Sequence, residues 1–528
     1  MSIRRLQPDE LGEMLVGSSE YAILDPREMG DYEKGHLFRA SVVPLNRLEL
    51  MLGDLVPRRD TQVVWCGGQS WEAELAAERS AALGWTDVAV LDGGVEAWRA
   101  AGGEVYSGVN VPSKAFGELV ERQLGTPHIA APDLQQLIDD EADLVVLDSR
   151  PFPEFHRMSI PTATDMPGAE LVHRVRDMAP DPATTIVVNC AGRTRSIIGA
   201  QSLIDAGVPN RVMALENGTM GWELAGLPLD HGSSRAAPSP GPEARAWAAD
   251  AAAEVATRHG VQTIDEDQLT TWQADSSRTT MIFDVRSPEE YEAGHRPDSC
   301  SAPGGQLVQA TDQYMATQNA RLVLVDDDGV RATMTASWLR RLGWDDAVVL
   351  VAGLTDRLET GPRRAEVVGE HPAVLVSAAE LAGIVGDTAT IVVDLAASTA
   401  HRKGHIPGAW WTTRNRLDQL AATTARASRV VLTSTDDQLA RVAFADAAQA
   451  WDPDRVVVLD GGTDAWVDAG YEVETGQGRQ LGPAHDVWAG PMAGCDRAEV
   501  EAAMNAYLVW EIALTDQVDA DPTVKFNL

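Results

Sequence analysis

Two stretches decide how this chain is read: LVVLDSR, residues 144–150, and TTIVVNCAGRTRS, residues 184–196. Each begins with a continuous apolar run of strand length that ends at a polar turn, the pattern of a strand buried on both faces. The first pattern recurs. Apolar runs ending in aspartate close at Asp25 (YAILD), Asp148 (LVVLD), Asp284 (TMIFD) and Asp394 (IVVD). Eleven residues beyond these aspartates stand His36, Ser159, His295 and His405.

The second pattern recurs too, as TQVVWC, TTIVVNC, RLVLVDDD and SRVVLTST. Counted from the first aspartate of each unit, Cys66 lies 41 residues on, while Cys190 and Asp326 lie 42 on. In the fourth unit Thr433 or Ser434 takes that place, 39 or 40 residues on. A helical segment follows each run, then a third strand and a glycine turn: VAVLDGGVEAW, RVMALENGTMGW, VVLVAGLTD and VVVLDGGTDAW. Strands alternating with helices predict an α/β fold, with four tandem units that each hold a mostly parallel central sheet covered by helices on both faces. Loops that do chemistry in such folds sit at the carboxyl ends of strands, where Cys190 stands.

Boundaries are drawn at 1–110, 111–232, 250–360 and 370–482, with a linker at 233–249 and a C-terminal helical tail at 483–528. The stretch HGSSRAAPSPGPEARA, residues 231–246, reads as linker because small residues and prolines bury little area. Residues 247–258 are alanine-rich and read as a helix joining two halves. The tail segment AEVEAAMNAYLVWEIAL carries an apolar stripe expected to pack back on the fourth unit.

At 528 residues the chain is long enough for three to five domains of ~100–150 residues. It is 44% hydrophobic and 23% charged, and no window reaches the ~20 apolar residues of a bilayer span. The opening MSIRRLQPDE has no apolar stretch behind it, so no secretory signal is expected and the chain is placed in the cytoplasm. A net charge of -36 repels phosphate backbones and acidic membranes, so neither nucleic acid nor membrane is expected as a partner. Four cysteines without a CxxC pair, and 11 histidines outside the common zinc spacings, point to no disulfide scaffold, no metal and no cofactor.

The repeat resembles the rhodanese family of sulfurtransferases in four tandem copies. The resemblance is carried by LDPREMGDYEKGHL with VLDGGVEAW, LDSRPFPEF with CAGRTRS, FDVRSPEEYEAGH, and KGHIPGAW with VLDGGTDAW.

Residues 190–196, Cys-Ala-Gly-Arg-Thr-Arg-Ser, lie between a strand ending at Asn189 and a helix expected to start near Ser196. Small residues let successive amides turn inward, and a helix N-terminus closes the ring into an anion cradle. Such a cradle is expected to lower the thiol pKa below its free value of ~8.5 and to favour the thiolate. Arg193 and Arg195 add positive charge beside the sulfur. The rhodanese resemblance then implies a mechanism. Cys190 attacks the outer sulfur of thiosulfate, sulfite leaves, and a thiophilic acceptor removes the sulfur from the resulting persulfide in a ping-pong cycle. Arg193 and Arg195 bind the small anionic donor, and Ala191, Gly192, Thr194 and Ser196 hold the sulfur with them. The acceptor implied is a thiol or a protein.

Other readings follow from the same loop. The resemblance also implies 3-mercaptopyruvate as an alternative donor, which family members with less cationic loops favour, and loop charge leaves alkyl or protein persulfides open as donors. A cysteine phosphatase would need arginine at position 196, where this chain has Ser196. A scaffold that binds or relays sulfur would leave Cys190 occluded. Arg150 recurs as Arg27 and Arg286 in units without a catalytic loop, which favours a structural ion pair over substrate contact. His156 and His173 have no partner defined by spacing. Cys66, in CGGQSWEAE, has glycines but no arginine and is kept as a secondary sulfur acceptor. Asp326, Thr433 and Ser434 cannot carry a persulfide, so units three and four are expected to be silent. Cys300 and Cys495 read as structural. Units are expected to pair one with two and three with four.

Overall fold

The computed structural model describes residues 3–68, 71–354, 357–363, 366–369, 371–494 and 496–528. Four sheets stand where the four apolar repeats predict them. In unit two the parallel strands lie in the order His128–Ile129, Val212–Leu215, Thr185–Asn189, Leu144–Asp148 and Thr164–Asp165. Units three and four repeat this order, and unit four adds Arg479–Gln480 at its edge. Unit one repeats it as well, with one addition. Thr317–Gln318 of unit three pairs antiparallel with Tyr21–Asp25, Thr317 opposite Ala22.

The aspartate landmark marks a buried strand end. Asp148 is fully buried and accepts from Arg150 Nε at 2.8 Å and from its terminal nitrogen at 2.7 Å, while the same guanidinium reaches Met158 O at 2.7 Å. Asp25 with Arg27 and Gly35 O, and Asp284 with Arg286 and Gly294 O, repeat the clamp. In unit four Ala396 stands where the arginine would be, and His401 Nδ1 takes over Asp394 at 2.7 Å. A forked guanidinium is the group that can satisfy a buried carboxylate and a carbonyl together. The structural role expected of Arg150 is the one its contacts describe. The second landmark closes each unit: the chain at His36, Ser159, His295 and His405 bridges to Tyr106, Asp230, Glu359 and Glu474.

The pairing of units differs from the expected one. Units two and three share one apolar core, in which Leu147, Ile186 and Leu203 join Phe283, Leu322 and Trp338. Trp338 Nε1 donates to Ser202 Oγ across this seam at 2.7 Å. The helix Pro242–His259 starts inside the stretch read as linker and buries Ala248, Ala251, Ala252 and Val255 in that core. Its small residues make a flat face that two units can cover, which a composition reading mistakes for inability to pack. Unit one instead faces unit four: Arg414 binds Glu49 at 2.8 Å, and Asn415 N donates to Asn46 Oδ1 at 2.8 Å.

The tail also departs from expectation. Residues 483–494 run between units four and one, where His485 O accepts from Gly30 N at 2.8 Å and Asp486 from Ser398 N at 2.7 Å. The helix Arg497–Ala520 then lies along Val111–Leu124, the first helix of unit two. Leu514 and Val518 are buried there with Phe38, Tyr106, Ala115 and Leu119. The apolar stripe is real, but the open face that matches it is the junction of units one and two.

Two ion pairs cross the seam between units two and three: Glu170 with Arg331 at 2.8 Å, and His173 Nε2 with Asp328 at 2.8 Å. Burial pulls the His173 imidazole down, but its hydrogen bonds to Asp328 and Glu170 outweigh that and raise it to about 9. A raised histidine stabilises the fold fully below its ordinary value near 6.5 and loses that contribution as pH climbs through about 9. The loss amounts to about 3 kcal/mol at most. The melting temperature is therefore expected to fall between pH 6.5 and 9, and His173→Gln to remove that part of the slope; an unchanged slope in H173Q contradicts the assignment.

Candidate active site

Strand register identifies the residue that occupies the reactive position in each unit. Asp148 lies opposite Asn189, Asp284 opposite Val325 and Asp394 opposite Thr433, so the first residues past the sheet are Cys190, Asp326 and Ser434. In unit one Leu24 lies opposite Trp65. Cys66 therefore faces Asp25, and the residue past the sheet is Gly67. The glycine turn that follows the third strand agrees. Thr219 N donates to Cys190 O, Thr463 N to Ser434 O and Val95 N to Gly67 O, each at 2.8 Å. The one-residue difference in spacing thus removes Cys66 from the loop position. A one-residue shift turns a strand side chain to the other face. Cys66 lies fully buried among Ile23, Val64 and Leu91, as a core residue.

At the turn itself glycine is required. Gly218 has φ of 54°, and a Cβ there would sit 2.5 Å from both Cys190 O and Gly192 O. This close approach holds the Cys190 loop against the end of the third strand.

The loop helix spans Thr194–Asp205, so it starts two residues before the expected position. Cys190 Sγ lies 3.5 Å from Ser196 Oγ, which donates onward to Arg193 O at 2.8 Å, and the Ser196 amide also faces the sulfur. The amide six residues along plays the same part elsewhere. Ala332 N donates to Asp326 Oδ2 at 3.0 Å, joined by Gly329 N at 2.7 Å, and Ala440 N donates to Ser434 Oγ at 3.2 Å. The amide cradle is a property of the fold. Unit three fills it with its own carboxylate, whose burial pushes Asp326 up to about 6. Unit four fills it with a hydroxyl.

The two loop arginines have different surroundings. Arg193 binds Glu118 through two nitrogens at 2.6 and 2.9 Å, and also Glu121 and Asn217. Its charge is offset by carboxylates of the helix Val111–Leu124. Arg195 pairs with Glu154 at 2.9 and 3.0 Å and donates to Gln306 of unit three at 3.2 Å. It is also the nearby cation that favours the Cys190 thiolate.

Cys190 is only 2% exposed. Burial pushes its thiol above the usual range, and Glu511 adds to this, while Arg195 and Ser196 pull the other way. The expected lowering of the thiol is thereby reversed. A short loop supplies few dipoles, and water is excluded by elements that loop composition does not report.

Those elements are the helix Val111–Leu124, whose Glu118 binds Arg193, and the tail. Thr194 Oγ1 donates to Glu511 Oε1 at 2.6 Å. A Cβ on Gly192 would meet Met220 Cε at 2.8 Å and Tyr507 Cε1 at 3.4 Å, so the tail helix packs directly on the loop. No spacing ties residues 507 and 511 to 190, and only the compact fold brings them together. His156 bonds Ser233 O, and Cys300 sits on a short strand beside Phe283. Cys495 lies outside the described residues. Asp326, Asp327 and Asp328 lie close enough to share an ion, but each is already engaged, by amides, Arg331 and His173 respectively.

A family model described as a rhodanese-like domain matches the chain four times, at residues 7–101, 130–225, 266–357 and 377–469. A crystal structure of thiosulfate sulfurtransferase from Pseudomonas aeruginosa is 46% identical, with 99% of each chain covered and a TM-score of 0.94. Among curated proteins, an HTH-type transcriptional regulator of Mycobacterium tuberculosis is 32% identical over 21% of this chain and 48% of its own length. YrkF of Bacillus subtilis, named as a candidate sulfur carrier protein, is 27% identical over 16% of this chain and 44% of its own length. The chain spans about half the length of these curated relatives.

The raised thiol has a direct consequence. Alkylation of Cys190 by iodoacetamide, followed on its own peptide, is expected to keep accelerating with pH beyond the ordinary thiol range near ~8.5. Glu511→Gln is expected to shift that profile to lower pH. A rate that already levels off below neutral pH would contradict the neutral thiol.

Proposed function

This chain belongs to the rhodanese-like family, and on that premise we propose that it moves sulfane sulfur from thiosulfate to a thiophilic acceptor through a Cys190 persulfide. One observation carries the reading: of the four residues that occupy the reactive position, only Cys190 is a sulfur nucleophile. The P. aeruginosa structure, matched over 99% of each chain, supports thiosulfate as donor.

In the first half-reaction the Cys190 thiolate attacks the outer sulfur of thiosulfate. The sulfur–sulfur bond breaks and sulfite leaves with its electron pair. The Ser196 amide and the N-terminus of the loop helix stabilise the charge on the bound persulfide, and Arg195 faces the same charge. In the second half-reaction a nucleophilic acceptor attacks the outer sulfur, and its bond to Cys190 breaks to return the thiolate. No external oxidant or reductant enters the cycle. Arg150 is a positioning group that holds the strand end, and Arg193 anchors the loop to Glu118.

Because carboxylates offset Arg193, the loop carries less free positive charge than its sequence spells. That observation favours a second reading in which 3-mercaptopyruvate is the donor. The acceptor is a small thiol or a protein thiol. A persulfide carrier works only while its cysteine stays reduced, which supports action in the cytoplasm. Among the described residues no helix is long and apolar enough to cross a membrane.

Steady-state transfer from thiosulfate to cyanide is expected to give the parallel-line pattern of a ping-pong cycle. Cys190→Ser is expected to abolish it, and Cys66→Ser to leave most of it. Arg195→Met is expected to lower kcat/KM for thiosulfate by ~10–100-fold, the worth of one charged hydrogen bond. Full activity in C190S overturns the assignment, and a higher kcat/KM for mercaptopyruvate replaces the donor.

A further inference from the structure

Lys114 projects from the helix Val111–Leu124 and is 3% exposed. Its Nζ lies 5.2 Å from the ring centre of Trp488 and 4.8 Å from those of Tyr507 and Trp510, three aromatic residues of the tail. Neither this ammonium nor Glu511 Oε2 has a hydrogen-bond partner among the described residues. A buried ion without a hydrogen-bond partner costs more than cation–π contact alone returns.

The position of this ammonium relative to the sulfur follows from three contacts. One turn beyond Lys114, a Cβ on Gly117 would sit 3.0 Å from Thr194 Cγ2, and Glu118 binds Arg193. The face of the helix that carries Lys114 is therefore the face on which the Cys190 loop rests. Tyr507 links the two directly, since it touches both the lysine and the Gly192 position. The charges felt by Lys114 are those of Glu511, Asp312 and Arg195. Burial pulls the ammonium down to about 8, against the two carboxylates that hold it up.

We propose that Lys114 is a second substrate-binding cation of the Cys190 site. Its ammonium holds the anionic leaving end of the sulfur donor, and Trp488, Tyr507 and Trp510 of the tail keep it beside the loop. The proposal rests on the sulfurtransferase reading above and assigns the tail a part in the site. None of the four rhodanese-like matches reaches the tail, the last of them ending at residue 469. Glu511, bound to Thr194, fixes the loop helix to the same tail.

The test is the rate of persulfide loading on the full chain, followed by intact mass with thiosulfate or with an alkyl hydropersulfide whose leaving end carries no sulfonate. Lys114→Met is expected to raise the thiosulfate concentration for half-maximal loading by ~tenfold or more, the worth of one charge-assisted contact. The maximal rate and the alkyl donor are expected to change little. Lys114→Arg is expected to recover most of the loss. Trp510→Leu, which leaves the lysine in place, is expected to shift the same constant in the same direction by less. Equal slowing of both donors in K114M, or no change with thiosulfate, overturns the proposal while the sulfurtransferase reading stands. Failure of the wild type to load from either donor overturns both.

Discussion

The hydrogen-bonded pairing of Asp148 with Asn189 determines where the second strand of unit two leaves its sheet, and the chemistry depends on that point. Up to Asn189 the chain is committed to neighbouring strands. From Cys190 its backbone is free to turn, and the amide of Ser196 faces the sulfur. The Asp148–Arg150 clamp holds the strand end, and the Gly218 turn presses the loop from the other side. A single-residue change in register would bury the sulfur in the core, as Cys66 is buried in unit one. Of the four residues that occupy this position, Gly67, Cys190, Asp326 and Ser434, only Cys190 carries a thiol.

The pairing of units two and three shapes the surroundings of Cys190 by pseudo-symmetry. Arg195 and Arg331 each lie five residues past the reactive position. Each pairs with a carboxylate of its own unit, Glu154 or Glu290, and with the residue opposite on its partner, Gln306 or Glu170. The difference falls at the last pair. Arg331 meets Glu170 in addition to Glu290 and Asp327 and is locked, fully buried, in an ion-pair network. Arg195 meets a neutral amide and keeps charge to share with the sulfur. Unit three thus supplies a wall and a hydrogen bond to unit two, while its own cradle is filled by Asp326.

Much of this was legible in the sequence. The apolar runs, the aspartate–arginine pairs and the glycine turns are local signals, and strand-length patterns report local structure well. Cys190 was legible because its loop combines a strand end, small residues and a helix start. What escaped depends on surfaces meeting at a distance. The spacing of Cys66 differed by one residue, but its meaning depends on the alternation of side chains in a paired strand. The alanine-rich segment 247–258 was legible as a helix, but its first turn, at 242–246, looked like linker because flatness and emptiness share a composition. The tail's apolar stripe was visible without its destination, and so the contacts of Tyr507 and Glu511 with the Cys190 loop were invisible. The raised thiol followed from that same unseen cover.

The account turns on a single sulfur carrier at one register position. The direct measurement is peptide-resolved mass analysis of the wild-type chain after thiosulfate treatment without reductant, before and after cyanide. The account predicts one added sulfur on the peptide that contains Cys190, removed by cyanide, with none on the peptide that contains Cys66. Added sulfur on Cys66, or a Cys190 peptide that stays unmodified while transfer activity persists, would contradict it.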